Sequence, residues 1–493
     1  MSEPHPLRVS DALDKLVHQF SDPLSFYREL IQNALDAGTE EVDIRLVFEP
    51  DADDPDAGVA VIHVDDWGCG MTREIIEKQL TRLFSSSKDG DRTKIGKFGI
   101  GFVSVFAIDP HIACVDTSRE GESWRVLFDR DKRYELRRLD VPVDGTKIRL
   151  YKPLRRPEFD DLVRRSRDVV RYWCKHVRGE VRFQGELINQ PIDIDAPIKV
   201  REEADHTLIV VGHPADHRSA YGFYNRGLTL IEGDPDHLVG LVYKVSSDHL
   251  EHTLTRDNVI HDEAYYKVLA RLDALARGPL CREVFARLDA ALRAGDDPPE
   301  HLYRAAAWHL RIHPAALPRG VAEGAVARTP SGRLVALRDL RKAYHAWSQG
   351  KSAPYRAGAR SPVTDALEAR GDLVLHAPPE HPLRELARAL CREGAASGLP
   401  VTGHCTAVPA RSDLEERRWR PLQQAAAALL KAHGAKLTGV VVAHLAYPES
   451  SVADRVAITQ RRLGDLDLIE DARALGTSLF SRSRLLVLNA DHP

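Results

Sequence analysis

The stretch YRELIQNALDAG, residues 27–38, places Glu29, Asn33 and Asp36 four and then three residues apart. At about 100° per residue these three fall on one side of a helix. The opposite side carries the apolar stripe Tyr27, Leu30, Ile31, Ala34 and Leu35. A carboxylate on such a wall can take a proton from an attacking water. An amide oxygen beside it is a suitable ligand for a hard cation such as Mg2+. The same stripe is also what an ordinary solvated helix face looks like, so other stretches must decide between the two.

Three do. DDWGCGM (65–71) ends a strand with an Asp-x-Gly-x-Gly turn, in which Asp66 can accept a hydrogen bond from an exocyclic amine. Gly68 and Gly70, followed by Met71, let backbone approach a flat ring. KIGKFGIGF (94–102) brings Gly96, Gly99 and Gly101 to the entrance of an apolar run. A Gly-rich turn entering a helix offers free N–H groups and a positive dipole end, which suits phosphate. DGTKIRL (144–150) opens a strand with Gly145 and the hydroxyl of Thr146. Each is a weak signal alone; their order within one unit of about 150 residues, the size of a domain, is what carries weight.

The elements that must position these groups follow from periodicity. A helix over 9–20 precedes a second one that begins near Ser25 and stops at Gly38. Strands are expected at 42–48, 59–66, 124–129 and 145–151, with the acidic 49–58 as a hairpin loop. Helices followed by antiparallel strands indicate an α+β fold, an α/β sandwich. Strands resume after about residue 190, helix returns over 264–295, and the last hundred residues alternate. There the order is a helix ending at Gly434, a strand at 438–446, a further helix and a closing strand at 485–490.

The bulk properties narrow the classes. With 493 residues the chain exceeds one core and calls for several domains. A net charge of −4 and a pI near 6.6 argue against a dedicated nucleic-acid binder. The six cysteines form no CxxC pair, which suits a reducing compartment and gives no zinc signature. No apolar run reaches the ~18 residues of a membrane span, and the N-terminus lacks a signal-peptide layout. A soluble, cytoplasmic protein with no membrane partner is expected.

Taken together, the four stretches resemble the nucleotide-binding boxes of the GHKL ATPase superfamily, and most nearly those of the 90-kDa heat-shock (HtpG-like) chaperones. ALDKLVHQFSDPLSFYRELIQNALDA and FGIGFVSVF carry the likeness to that branch, over roughly residues 10–150. The resemblance implies a Bergerat-type ATPase fold with ATP and Mg2+ as ligands. It implies that Glu29 activates or orients the attacking water and that Asn33 holds Mg2+, with Asp36 in support. Asp66 would accept from the adenine amine, with Gly68, Gly70, Met71 and Thr146 around the base. Gly96, Lys97, Phe98, Gly99, Ile100, Gly101 and Phe102 would wrap the phosphates. Lys88 and Lys97, flanking an expected lid, either meet the γ-phosphate or stand exposed.

Further on, YGFYNRGLTLIEG (221–233) and GLVYKVSSDHLEHTLTRDNV (240–259) resemble the strands and arginine turn of that family's middle domain. The likeness makes Arg256 the arginine that reaches the γ-phosphate, although Ile260 stands where the family has glutamine. The expected domains are thus 1–185 for nucleotide, 186–300 for the middle domain, and 301–493 as a C-terminal region that could dimerise. The implied activity is a slow, ATP-driven conformational clamp on protein clients, acting as a homodimer. The alternative is a MutL-like DNA clamp, suggested by DAGTEEVDI (36–44) and the Arg-rich 155–179. A histidine kinase is disfavoured because only 28 residues precede Glu29.

Overall fold

The computed structural model describes residues 22–81, 100–251, 259–313, 316–391, 398–435, 437–469 and 484–493. They form two compact units, the first holding residues up to Gly212 together with Arg218–Asp273, the second His213–His217 and Ala274–Pro493. The chain is mixed α+β, with an N-terminal α/β sandwich followed by further α/β regions.

The first helix, α1 (Phe26–Asp36), follows a 3-10 turn at Pro23–Ser25 that Asp22 caps by accepting the Leu24 N–H at 2.9 Å. It ends where the Gly38 N–H closes on the Leu35 carbonyl. Gly38 itself has φ +79°, the left-handed conformation that commonly terminates a helix. Eight strands then form one sheet: β1 (Glu41–Pro50), β2 (Ala57–Asp66), β3 (Ile112–Arg119), β4 (Glu122–Phe128), β5 (Tyr134–Arg138), β6 (Thr146–Arg155), β7 (Glu180–Phe183) and β8 (Glu186–Leu187). Their spatial order is β5-β4-β3-β6-β2-β1-β7-β8, antiparallel except where β7 joins β1. The acidic loop after β1 closes the expected β1–β2 hairpin.

α1, the short α2 (Ile100–Val103) and α3 (Arg156–Cys174) cover one face of this sheet. Tyr27, Leu30, Ile31 and Ala34 of α1 join Ile44, Ile62, Val64, Val115, Val126 and Leu150 in a single core. Alternate strand residues supply it because side chains alternate across a strand. The apolar stripe read from the sequence is therefore the core face. Buried alongside it is the Tyr27 hydroxyl, bonded to Ser166 Oγ of α3 at 3.0 Å.

A second sheet in the same unit runs β12-β11-β13-β10-β9. Its strands are β9 (Ile198–Ala204), β10 (Thr207–His213), β11 (Ala220–Asn225), β12 (Leu228–Gly233) and β13 (Val242–Ser247). Helix α4 (Glu263–Leu275) follows, then one wide turn containing Pro279, and α5 (Cys281–Ala294) up to Gly295.

The second unit, which includes α5, adds α6 (Glu300–Ile312), a β14–β15 hairpin (Ala325–Arg328, Leu334–Ala336) and α7 (Leu337–Ser348). Next come β16 (Tyr355–Ala357), α8 (Pro362–Ala369), β17 (Val374–His376) and α9 (Arg384–Leu390), with β16 and β17 in a small parallel sheet with β18 (Leu399–Pro400). After β19 (His404–Cys405) comes α10 (Asp413–Ala432), and then β20 (Gly439–Ala443), β21 (Ala457–Gln460), β22 (Asp467–Leu468) and β23 (Leu485–Asn489). Of the span 446–485, where a helix is expected, residues 470–483 lie outside the described residues, and residues 444–469 carry the strands β21 and β22. The short apolar run VAIT packs as a strand against β23, an ambiguity that length and periodicity cannot resolve for so few residues. The helix expected at 9–20 lies outside the described residues.

Candidate functional site

The polar side of α1 is wet only in its second half. Glu29 and Arg28 are each only 3% exposed, whereas Asn33 and Asp36 are exposed. A charged residue rarely enters a protein interior without a structural or functional partner. Arg28 lies with its guanidinium 4.6 Å from the centre of the Trp173 ring, and burial pulls its pKa down to about 10. Glu29 meets the start of α2. A Cβ placed on Gly101 would stand 2.8 Å from Glu29 Oε2 and 3.8 Å from Asn33 Nδ2. Without a side chain at Gly101, the backbone entering α2 packs directly against the Glu29 carboxylate and near the Asn33 amide.

The turn after β2 is built against the end of α1. Thr39 Oγ1 accepts the Trp67 N–H at 3.1 Å, and the Ala37 carbonyl accepts the Cys69 N–H at 3.0 Å. Gly68 lies so close to Ala37 that a Cβ there would come within 2.7 Å of the Ala37 Cβ. Gly70 combines φ +64° with a potential Cβ only 2.2 Å from the Ser118 carbonyl, so a side chain is excluded twice over.

Asp66, 8% exposed, ends β2 inside this turn. Burial raises its carboxyl pKa, while N–H donation from Gly68 and Thr146 and the nearby Lys147 ammonium work in the opposite direction. The Gly68 bond to Oδ1 is 2.9 Å. These donors leave an acceptor whose orientation is set before any ligand arrives.

One residue of this site escaped the sequence analysis. Thr117 of β3 pairs in register with Thr146 of β6, and its hydroxyl lies 3.2 Å from that of Thr146. The same oxygen accepts the Met71 N–H at 2.9 Å and lies 3.2 Å from the Gly145 carbonyl. Thr117 therefore joins two motifs that are 75 positions apart at Met71 and Thr146. No local pattern marks it, because only sheet register brings the three together.

The remaining expected residues divide sharply. Met71 is half-buried against the core, and Thr146 is buried. Phe102 is 3% exposed, with its ring 5.3 Å from that of Phe128, so what it can offer a ligand is its backbone. Ile100 opens α2. Lys88, Gly96, Lys97, Phe98, Gly99 and Arg256 lie outside the described residues. Asp36 pairs with Arg226 of the second sheet at 2.9 Å. The Arg-rich 155–179 is largely α3, where Arg156, Arg164, Arg165 and Arg167 pair with Asp160, Asp161, Asp22 and Glu186. These exposed arginines stand among acidic partners along and beside the helix. Among the described residues no cluster of three or more His, Cys, Asp or Glu side chains could hold a metal ion, and no helix is long and apolar enough to cross a membrane.

Comparison with known proteins adds an independent line. Residues 26–148 match the family described as histidine kinase-, DNA gyrase B- and HSP90-like ATPase. Among curated proteins, the chain is 30% identical over 211 residues to the chaperone protein HtpG of Magnetococcus marinus, covering 36% of this chain and 32% of that protein. It is 31% identical over 210 residues to HtpG of Nitrosospira multiformis, covering 37% and 32%. For HtpG of Halorhodospira halophila the figures are 29% over 216 residues, 38% and 33%. The chain thus matches about a third of the length of these relatives. Residues 26–148 are similar to GHKL-type ATPases, and the N-terminal part of the chain to HtpG, in line with the resemblance of the four sequence boxes.

Proposed function

We propose that this protein binds and slowly hydrolyses ATP, using the wall formed by α1, the 66–71 turn and the start of α2. The observation that carries the proposal is the placement of Glu29: a buried carboxylate packed against Gly101 at the start of α2, on the helix that also carries the exposed Asn33 amide. In such a site Glu29 orients a water and accepts its proton as the water oxygen bonds to the terminal phosphorus. The bond from that phosphorus to the bridging oxygen then breaks, releasing ADP and phosphate. A positioned general base contributes on the order of 10²–10⁴ in rate. Asp66 accepts the hydrogen bond of the adenine amine, with Gly68, Gly70, Met71 and Thr146 shaping the base pocket.

Asn33 would hold Mg2+, whose charge would offset that of the phosphates. The exposed Asn33 amide oxygen suits a hard cation that keeps most of its waters. Gly96 to Phe102 would surround the phosphates, with Lys88 and Lys97 near the γ-phosphate and Arg256 supplied from the middle domain. The domain limits proposed are 1–185, 186–300 and 301–493.

At the level of the whole protein, we infer a chaperone: a nucleotide-driven clamp on protein clients, working as a cytoplasmic homodimer. The similarity to HtpG chaperones supports the chaperone reading. Support for self-association comes from α10, where Leu414, Leu422 and Leu429 are 77%, 54% and 62% exposed. Exposed apolar rows of this kind mark interaction surfaces.

Mg-ATP is expected to raise the melting temperature of the full chain, and Asp66→Ala to abolish that rise while the melting temperature without ligand stays within a few degrees. Absence of any shift in the wild type would remove the nucleotide-site reading.

A further inference from the structure

We propose that Arg226 is a positioning residue for the nucleotide site, holding the last turn of α1 in place from the second sheet. β11 and β12 are joined by a two-residue turn, Arg226–Gly227, flanked by the pair Asn225–Leu228. Both turn residues have positive φ, +48° and +87°. Such turns are filled most readily by Asn-Gly or Asp-Gly. A long side chain in the left-handed region at the first position is uncommon, and residues held there tend to have a specific task.

The turn has little freedom to move. A Cβ on Gly227 would lie 2.0 Å from the His176 carbonyl, so the tip is seated against the end of α3. The Gly227 N–H donates to Ser246 Oγ at 3.1 Å, and the Asn225 amide donates to the Leu250 carbonyl at 2.5 Å. Lys175 pairs with Glu232 at 2.6 Å, and Thr229 Oγ1 donates to the Tyr172 carbonyl at 2.6 Å. From this anchored tip the guanidinium of Arg226 reaches Asp36 Oδ1 at 2.9 Å. Asp36 is the last residue of α1, three positions beyond Asn33.

Arg226 and Asp36 are 59% and 46% exposed, so their pairing adds little to stability. Its consequence is geometric. Asp36 is one turn from the Asn33 amide, so a tether at Asp36 sets the azimuth of that turn relative to the start of α2. Through this contact the orientation of the second sheet is transmitted to the nucleotide site.

The catalytic part of this inference depends on the ATPase reading, so its test has two arms. In the full chain, Arg226→Gln is expected to lower kcat about fivefold while the ATP Kd changes less than about twofold, the split that marks positioning rather than binding. Arg226→Lys, which keeps the charge, is expected to recover most of the loss. Asp36→Asn should act alike, and the double variant should be no slower than either single one, because contacting partners are not additive. Equal kcat in Arg226→Gln and wild type, or multiplicative losses in the double variant, would overturn the role. Independently of any turnover, Arg226→Gln should accelerate amide hydrogen exchange at residues 33–38 several-fold. Unchanged exchange there would overturn the tether even if the protein proved not to hydrolyse ATP. Wild-type chain without turnover but with the exchange effect would instead fault the ATPase reading alone.

Discussion

Two helices of this chain solve opposite problems. α1 has eleven residues, seven of them buried, and among those seven are an arginine and a glutamate. α10 has twenty residues and not one is buried, although it carries four leucines. Burying charge and exposing leucine both run against the hydrophobic ordering of a folded chain. Where that ordering is broken, function is the first explanation to test. In α1 the cost of burying Glu29 is consistent with a carboxylate set in place for chemistry. In α10 the exposed row is consistent with a surface awaiting a partner.

The contrast can be broken in stages. The largest expected effect is chemical: Glu29→Gln should bind Mg-ATP but lose turnover by about 10²–10⁴. Single-turnover hydrolysis beside calorimetric ATP binding measures both, and retained turnover would leave the burial of Glu29 without its catalytic explanation. Packing comes next. Ile31→Ala, at a residue with no exposed surface, should destabilise the first unit by about 2–5 kcal/mol in chemical denaturation. Leu422→Ala in α10 should stay within about 0.5 kcal/mol, as surface changes do, while weakening self-association in sedimentation. A large stability loss at Leu422 would mean that α10 is packed after all.

The smallest effect is pH dependence. His176, buried where α3 meets the second sheet, has its pKa pulled down from 6.5 to about 4 by burial, against the hydrogen bond to the Gln190 carbonyl that favours the proton. Because the folded pKa is below the unfolded one, its contribution to stability is complete above about pH 6.5 and is lost as pH falls toward 4. Between pH 7 and 5 the loss should be about 2 kcal/mol. Lys244 Nζ lies 2.9 Å from His176 Nε2, an arrangement that requires the neutral ring. Replacing His176 with glutamine should flatten this part of the profile, and an unchanged slope would assign it elsewhere.

Much of the first unit was legible in advance because its signals are local. The stripe Tyr27, Leu30, Ile31 and Ala34 repeats at the helical interval, and strands β1, β2 and β6 fall where β-branched runs alternate. The Asp66 turn and the close approach of α2 to Glu29 at Gly101 were announced by glycines, whose placement reports backbone geometry directly. Thr117 and Arg226 were not legible. Thr117 acts through a register between β3 and β6, and Arg226 through a contact 190 residues away in sequence. The strand β21 was missed because a short apolar run carries too little periodicity to separate strand from helix.

The sequence alone determined which side chains are able to do chemistry, Glu29, Asn33 and Asp66, and the helix or turn that carries each. Types and spacing suffice for that, since they act over one turn of chain. Tertiary structure alone decided that Glu29 is buried while Asn33 is exposed, two residues of the same stripe. It also decided that Thr117 ties the Met71 turn to Thr146, and that Arg226 anchors the end of α1. Burial and register are properties of what packs against a segment, and the packing partners lie far along the chain.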